Sequence, residues 1–458
     1  MKKCNAAARQ SSFRKISKAP LKILFAVFAA AFLFTQNSFG GEMEVFNLNN
    51  GVKVLFNKTD GIKVVSVKVY TPVSVICENP SNAGISYMTV KLMSKATLSR
   101  SNEVLAADID NIGAELSADA DYDIAGLNMS FLSEYFQKAC EILSDVLINP
   151  SFDEQTLKFE KNDICAVLKS RKDSIFNTAS DNFIELFYAG SPYSNPVLGK
   201  EESVELITPA DLKEWHSYSY NASNIIISIS GNIDAKTVKE NLNKYFADIK
   251  TGKKFEKPSF SANAKIPYGD TVLKGKFNQA YIFKGFAAPA INQKDFVALK
   301  VTGAVLGGRM TSRLFTELRE KLGLAYETSA IYPSRVESSF FVIYIGLDKK
   351  NIDLTLKKMD EILNDLRSNE ISQQELSDIK AYIKGMYVMD RQTVNRQSYY
   401  YAWRELTGQG YKYDDEYLAD IDKITTKDIY DAANRIFSQK ALTLIINPDE
   451  SANLLAGR

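Results

Sequence analysis

Along most of the chain, short stretches of alternating apolar and polar residues give way to longer stripes at helical spacing. In "KVVSVKVY", Val65, Val67 and Val69 alternate with polar partners, the period-two pattern of a strand with one buried face. "GVKVLFN" just before it and "IAGLNMSF" further on read as strands too. Helical patterns fill the long intervals between them. Thr208 stands as an N-cap with Pro209 at the first helical position and Asp211 at the third, a capping-box arrangement. "NIIISISG" closes this first set as a strand. "AYIFKGFAAP", "SSFFVIYIGL" and "ALTLIINP" then repeat the order of strands, helices, strand, long helices and closing strand. The pattern predicts an α+β fold of two homologous domains, each a mostly antiparallel sheet with helices packed on one face.

The repetition extends to the residues. "EILSDV" from Glu141 returns as "EILNDL" from Glu361, "FDEQTL" from Phe152 as "ISQQEL" from Ile371, and "ITPADL" from Ile207 as "ITTKDI" from Ile424. The offsets are 220, 219 and 217 residues, too long for a solenoid and consistent enough for a duplication. The expected organisation is a leader over 1–40, a first domain over 41–250, a linker over 251–267 rich in Lys, Pro and Ser, and a second domain over 268–458.

Charge adds the leader to this picture. The whole chain carries a formal net charge of +1, but residues 1–41 hold seven basic residues and no acidic one. The remainder has 49 basic against 55 acidic side chains, a mildly acidic body that argues against a nucleic-acid partner. Ile23 to Phe34 is a run of twelve apolar residues, followed by the small residues of "NSFGGE". That is the pattern of a secretory signal, expected to be cleaved near Gly40, the alternative being an uncleaved anchor; cleavage leaves no stable membrane span, and the expected location is a Gram-negative periplasm. Beyond Cys4 in the leader, Cys77, Cys140 and Cys165 are odd in number and lack CxxC spacing, so buried free thiols are expected, with one disulfide in an oxidising compartment as the alternative.

Candidate chemistry centres on "RMTSRLFTELREKLGLAYETS". Thr311 or Ser312 can cap a helix with Leu314, Phe315, Leu318 and Leu322 on its apolar face and Gly323 just past its end. Arg319 then lies in the last turn and Tyr326 opens the next strand. On the residues alone, the pair reads equally as a helix-end cation and a strand aromatic.

The longer stretch "GGRMTSRLFTELREKLGLAYETSA" resembles the second-domain signature of the pitrilysin/insulinase-type zinc peptidases, which include the mitochondrial processing peptidase. The resemblance continues through "INPSFDEQTLKFEKND" and "SPYSNPVLGKEESVELITPADLKEWHSYSYNASNIIISISGNID", and so spans the whole mature chain. It implies an inverted His-x-x-Glu-His zinc motif on a first-domain helix, with a distant glutamate as third ligand. The chain holds one histidine, His216, so that motif is arithmetically impossible. The family motif aligns with "GISYMTVKLM", placing Tyr87 and Lys91 at the two histidine positions and Val90 at the general base. The third-ligand position falls at or beside Lys169. A valine moves no proton, and two ammonium groups repel a divalent cation.

Other chemistry is weaker. Asp119, Asp121 and Asp123 begin like a calcium loop, but Ile124 and Ser130 occupy the positions that need Gly and Glu, so a solvated turn is expected. Phosphate-loop and GxSxG patterns are absent, His216 reads as a packing residue, and "SYYYAW" from Ser398 reads as core or interface. The resemblance implies that Arg319 and Tyr326 hold substrate backbone beside a zinc site in another domain. This chain is therefore expected to be a zinc-less subunit, without a cofactor of its own. It would bind extended peptide and complete the site of a zinc-bearing homologous partner. The alternative implied by the same family is a non-proteolytic scaffold or peptide-binding protein.

Overall fold

The protein is described by a computed structural model covering residues 42–258, 260 and 265–448. The expected leader and its cleavage point lie outside the described residues. Among those residues, no helix is long and apolar enough to cross a membrane.

The first half runs β1 (Glu42–Asn47), β2 (Lys53–Lys58), β3 (Val64–Thr71), α1 (Ile85–Met93), α2 (Asn102–Asn111), β4 (Glu115–Ala120) and β5 (Ala125–Leu132). It continues with α3 (Phe136–Ile148), α4 (Glu154–Arg171), α5 (Ile175–Phe187), α6 (Glu201–Leu206), α7 (Pro209–Ser219), β6 (Ile226–Gly231) and α8 (Ala235–Tyr245). The second half runs β7 (Gly269–Gly275), β8 (Ala280–Ala288), α9 (Phe296–Leu306), a π-helix (Phe315–Lys321), β9 (Ala325–Ile331) and β10 (Ser339–Leu347). It ends with α10 (Ile352–Ser368), α11 (Gln373–Asp390), α12 (Val394–Leu406), α13 (Tyr413–Lys423), α14 (Thr426–Phe437) and β11 (Leu442–Pro448).

Sheet topology repeats as the sequence does. The first sheet has the order β1-β2-β6-β3-β5-β4 and the second β7-β11-β8-β10-β9. Setting β2 on β7, β6 on β11, β3 on β8, β5 on β10 and β4 on β9 superposes the two orders. In each sheet one neighbouring pair is parallel, β2 with β6 and β7 with β11, and the rest are antiparallel. Even the caps repeat. Asp211 N–H donates to Thr208 Oγ1 at 3.2 Å while Thr208 N–H donates to Asp211 Oδ2 at 2.8 Å. Thr425 and Asp428 make the same two bonds at the same distances.

Each half's own helices cover one face of its sheet. Val54, Val67, Val69, Leu127 and Ile229 point into the first core with Met88, Leu143 and Leu212. Ile282, Phe341, Ile343 and Ile345 do the same in the second with Leu299, Met359 and Ala432. The other face of each sheet receives a helix from the opposite half: α5 lies on β8 and β11, and α12 lies on β3 and β6. This exchange explains why the second-sheet strands read as continuous apolar runs. Tyr281, Phe283, Phe340, Val342 and Leu444 meet Phe183 and Phe187 of α5 on that second face. At Gly285 a Cβ would stand 2.2 Å from the Phe183 ring, so only glycine lets the helix come this close.

The corresponding face of the first sheet is polar. Asn57 Nδ2 donates to Gln397 Oε1 at 3.1 Å, Ser398 Oγ meets Ser66 Oγ at 3.1 Å, and Asn395 Nδ2 donates to Ser130 Oγ at 3.1 Å. Lys53 pairs with Glu405 at its rim. The segment between the sheets has no helix or strand over 251–258 and is pinned to the first half, where Phe255 N–H donates to Asn224 Oδ1 at 2.6 Å.

Candidate functional site: a degenerate motif helix and an exposed arginine–tyrosine pair

Helix α1 carries the aligned motif positions, and its start is held tightly. Gly84 sits at φ +92° in front of it. The buried Glu78 carboxylate accepts the N–H groups of Gly84 at 2.9 Å and Ser86 at 3.0 Å. Burial pushes the Glu78 carboxyl up to about 7 against the pull of those bonds. Ser203 Oγ donates to Ala83 O at 2.8 Å, and a Cβ on Gly199 would lie 2.3 Å from that same oxygen. The helix packs between β4 and α7.

The three motif positions on α1 differ in environment. Val90 is fully buried in the first core, whereas Tyr87 and Lys91 are half-buried. Tyr87 faces a cavity of about 500 Å³. Its phenol is raised, first by burial and then by the negative field of Glu160. On α4, Lys169 is exposed. The acidic side chain of α4 that approaches α1 is Glu160, one stripe with Leu157 and Ile164, buried and paired with Lys95 at 2.8 Å. The place of Glu160 between Leu157 and Ile164 at helical spacing, a glutamate on an otherwise apolar stripe, is the sequence signal that could have found it.

The cavity beside Tyr87 lies between β4, β5 and the crossing helix α12. Lys68 in its wall is 2% exposed, and burial pulls its ammonium down to about 8. Lys68 Nζ donates to Asn395 Oδ1 at 3.3 Å, and Tyr70 OH donates to Asp119 Oδ2 at 2.5 Å. The expected solvated turn at 119–123 is corrected at its end: Asp119 is exposed and Asp121 half-buried, but Asp123 is buried. Asp121 accepts the N–H groups of Asp123 at 2.7 Å and Ile124 at 2.9 Å, and burial raises its carboxyl. Asp123 accepts the Tyr193 hydroxyl and, at 3.3 Å, Val336 N–H of the second half. The end of the turn is buried where Tyr193 and, from the second half, Val336 close on Asp123.

Arg319 and Tyr326 lie elsewhere. The expected α-helix leading to Arg319 winds instead as a π-helix, without a side-chain cap from Thr311 or Ser312. The wider turn keeps Leu314 and Leu318 in the core but carries Leu322 out of the stripe, to 44% exposure. Gly323 does reverse the chain, at φ +61°. Arg319 is exposed, its guanidinium 4.9 Å above the Phe315 ring, and Tyr326 is 57% exposed. Neither side chain has a hydrogen bond or ion pair among the described residues. Neither lines the cavity beside Tyr87. Tyr326 lies on β9, the outer edge of the second sheet, as β4 is the outer edge of the first. The fold thus puts the pair and the motif helix at corresponding edges of different halves and does not bring them together.

Residues 53–201 match the family model described as Insulinase (Peptidase family M16), and residues 206–383 match the one described as Peptidase M16 inactive domain. The chain belongs to the M16 peptidase family. Its relatives include an uncharacterized zinc protease of Rickettsia felis, 26% identical over 89% of this chain and 98% of that one. Another, of Bacillus subtilis, is 25% identical over 88% and 98%. Two crystal structures share the fold. A protease from Helicobacter pylori matches with a TM-score of 0.83 at 21% identity, over 90% of this chain and 100% of that one. A peptidase M16 inactive domain from Pseudomonas fluorescens matches at 0.83 and 19%, over 89% and 98%.

Zinc, the metal of the M16 relatives' printed names, does not fit the residues here. Val90 offers no donor and Lys91 offers a cation. Tyr87 offers a phenol whose ionisation is suppressed, and Glu160 is engaged by Lys95. Among the described residues, no three His, Cys, Asp or Glu side chains form a group able to hold a metal. His216 packs as expected: Nε2 bonds Leu147 O at 2.8 Å and the ring stacks on Tyr220. Cys77, Cys140 and Cys165 are free, with Cys140 buried and the other two half-buried.

Proposed function

We propose that this chain is the zinc-less subunit of an M16 peptidase, secreted to a Gram-negative periplasm by its first 40 or so residues. It pairs with a zinc-bearing homologous chain, helps wall the chamber and grips an extended peptide through Arg319 and Tyr326. One observation carries the reading. Helix α1 keeps its mounting while its chemistry is gone, and Arg319 and Tyr326 stand exposed with no hydrogen-bond or ion-pair partner among the described residues. Guanidinium and phenol suit a grip, because both donate hydrogen bonds to peptide carbonyls and neither has to move a proton. The domain boundaries at 250 and 268 belong to the same proposal.

The test uses the complex with the zinc-bearing chain. Arg319→Ala and Tyr326→Phe should each slow peptide cleavage by roughly 100- to 1,000-fold, since losing a donor in a water-poor site costs about 2.7–4 kcal/mol of transition-state stabilisation. A helix-end cation without that role contributes only about 0.3–1 kcal/mol of stability. Gel filtration must show intact complexes. Wild-type turnover from both variants in intact complexes would refute the grip and leave a scaffold.

A further inference from the structure

A second cavity, of about 640 Å³, adjoins the one beside Tyr87 and shares Asp121, Arg396 and Tyr399 with it. Its wall is aromatic: Phe296, Tyr387, Tyr400, Trp403 and Tyr417 line it. Its charges do not balance. Arg391 lies between Tyr387 and Tyr400, 3.3 and 3.6 Å from the ring centroids, and is paired twice with Asp414 at 2.8 and 2.7 Å. Arg396 is paired twice with Asp390, at 3.0 Å each. Asp121 is committed to the backbone of its own turn. Among the described residues, two cations lack a carboxylate of their own. Lys300 Nζ donates only to the Tyr332 carbonyl at 2.6 Å, and burial, with Arg404 and Arg335 nearby, pulls it down to about 7. Arg404 is 5% exposed, bonds Gln409 through one terminal nitrogen, and leaves Nε without a hydrogen-bond partner. The nearest carboxylate to that Nε is Asp414, at 3.7 Å and already held by Arg391 and Tyr387.

We propose that this cavity binds a carboxylate borne on an aromatic residue, namely the C-terminal residue of an extended peptide; the proposal rests on the peptide-binding reading above. Arg404, buried and sharing its one nearby carboxylate with Arg391, and Lys300, half-buried with a carbonyl and two ring faces but no carboxylate beside it, favour an added anion. The ring-lined wall calls for an apolar, flat group beside it. An internal peptide bond supplies no charge, and an Asp or Glu side chain supplies no ring. A C-terminal aromatic residue supplies both on neighbouring atoms. The shared wall at Arg396 and Tyr399 lets the preceding residues run into the cavity beside Tyr87.

The chain has two tryptophans, and Trp403 lines this cavity while Trp215 lines a separate groove. Trp215→Phe therefore leaves one reporter at the site. N-acetylphenylalanine should give a saturable change in Trp403 fluorescence, and N-acetylphenylalaninamide should bind about tenfold more weakly or worse. A hexapeptide ending in phenylalanine should bind more tightly than N-acetylphenylalanine. Lys300→Met and Arg404→Met should each weaken the carboxylate about tenfold, and Lys300→Arg should restore much of the loss. Circular dichroism establishes folding; if Arg404→Met does not fold, the two Lys300 variants decide. Equal binding of acid and amide, or no saturable change with either, would overturn the site. A peptide no tighter than N-acetylphenylalanine would overturn the peptide C-terminus as its ligand. The N-acetylphenylalanine titration needs no partner chain and reads a cavity whose lining includes neither Arg319 nor Tyr326. Failure here is thus separable from failure of the grip.

Discussion

The two halves pack closely where Phe183 meets Gly285, and that contact can be measured. Phe183 is fully buried and touches Phe187, Phe283 and Phe340 with ring centroids 5.5, 5.6 and 5.2 Å away. Phe183→Ala removes the ring and leaves a cavity bounded by those neighbours, a loss of about 3–5 kcal/mol. Gly285→Ala does the reverse. Its new methyl would lie 2.2 Å from the Phe183 ring, which is pinned by the same three aromatic neighbours and has no free side to retreat to. Overpacking of this kind costs about 1–3 kcal/mol, and the pinned ring places it near the top of that range. In the double variant the methyl enters the space the ring has left. The combined loss should therefore fall short of the sum of the single losses by roughly 1–2 kcal/mol, the size of coupling expected for residues in contact. Urea unfolding, followed by tryptophan fluorescence and far-ultraviolet circular dichroism, gives all four corners of the cycle. Additive losses within about 0.5 kcal/mol would refute the packing of α5 on the second sheet, since distant sites add to that precision.

Three further outcomes are expected. After dialysis, metal analysis should find no stoichiometric zinc, and Tyr87→His with Val90→Glu and Lys91→His should not restore it, because Lys169 is exposed and Glu160 is held by Lys95; one tightly held zinc per wild-type chain would sink this. Glu78 titrates near 7 in the fold against 4.5 when free, so the folded protein retains a proton across that window that the unfolded chain releases. Its contribution is then present at acid pH and lost as pH rises, by at most roughly 3 kcal/mol, and the stabilities of wild type and Glu78→Gln measured at pH 5 and 8 should diverge accordingly; parallel curves would contradict it. Thr208→Ala and Thr425→Ala should cost similar amounts, about 1 kcal/mol each in thermal melts, and an effect at only one of them would break the equivalence of the two caps.

The duplication was legible because apolar periodicity and caps are local properties, and Thr208–Asp211 and Thr425–Asp428 obey the same local rule. The exchange of α5 and α12 was not, because it is a relation between faces about 100 residues apart or more. Its trace was the apolar content of both faces of "AYIFKGF" and "SFFVIYI", which alternation alone does not assign to two different partners. The end of the turn at Asp123 was misread for the same reason: its burial comes from Val336 and Tyr193, far away in sequence. The π-helix escaped notice because Leu314, Leu318 and Leu322 fit an α-helical stripe, and only the observed winding takes Leu322 out of it. The motif positions needed no structure, since one histidine cannot make a two-histidine site. The mounting of α1 by Glu78 and the pairing of Glu160 with Lys95 needed one.

Duplication gives each half the same fold, but the two crossing helices have diverged in chemistry. Helix α5 presents Phe176, Phe183 and Phe187, which close against the second sheet as an aromatic layer. Helix α12 presents Asn395, Gln397 and Ser398 to a sheet face carrying Asn57, Ser66 and Lys68. Burying amides, hydroxyls and an ammonium is tolerable only where each finds a partner, and an apolar face of the same shape is usually at least as stable. Stability alone therefore does not account for the polar face. Its position does. It borders the cavity at Tyr87, where a passing peptide backbone needs donors and acceptors that an aromatic layer lacks. A purely architectural subunit gains nothing from that polarity, whereas a chamber wall needs it. The asymmetry between two helices of one origin is thus consistent with the proposed function, in which the first half holds substrate without a metal, and is so independently of Arg319 and Tyr326.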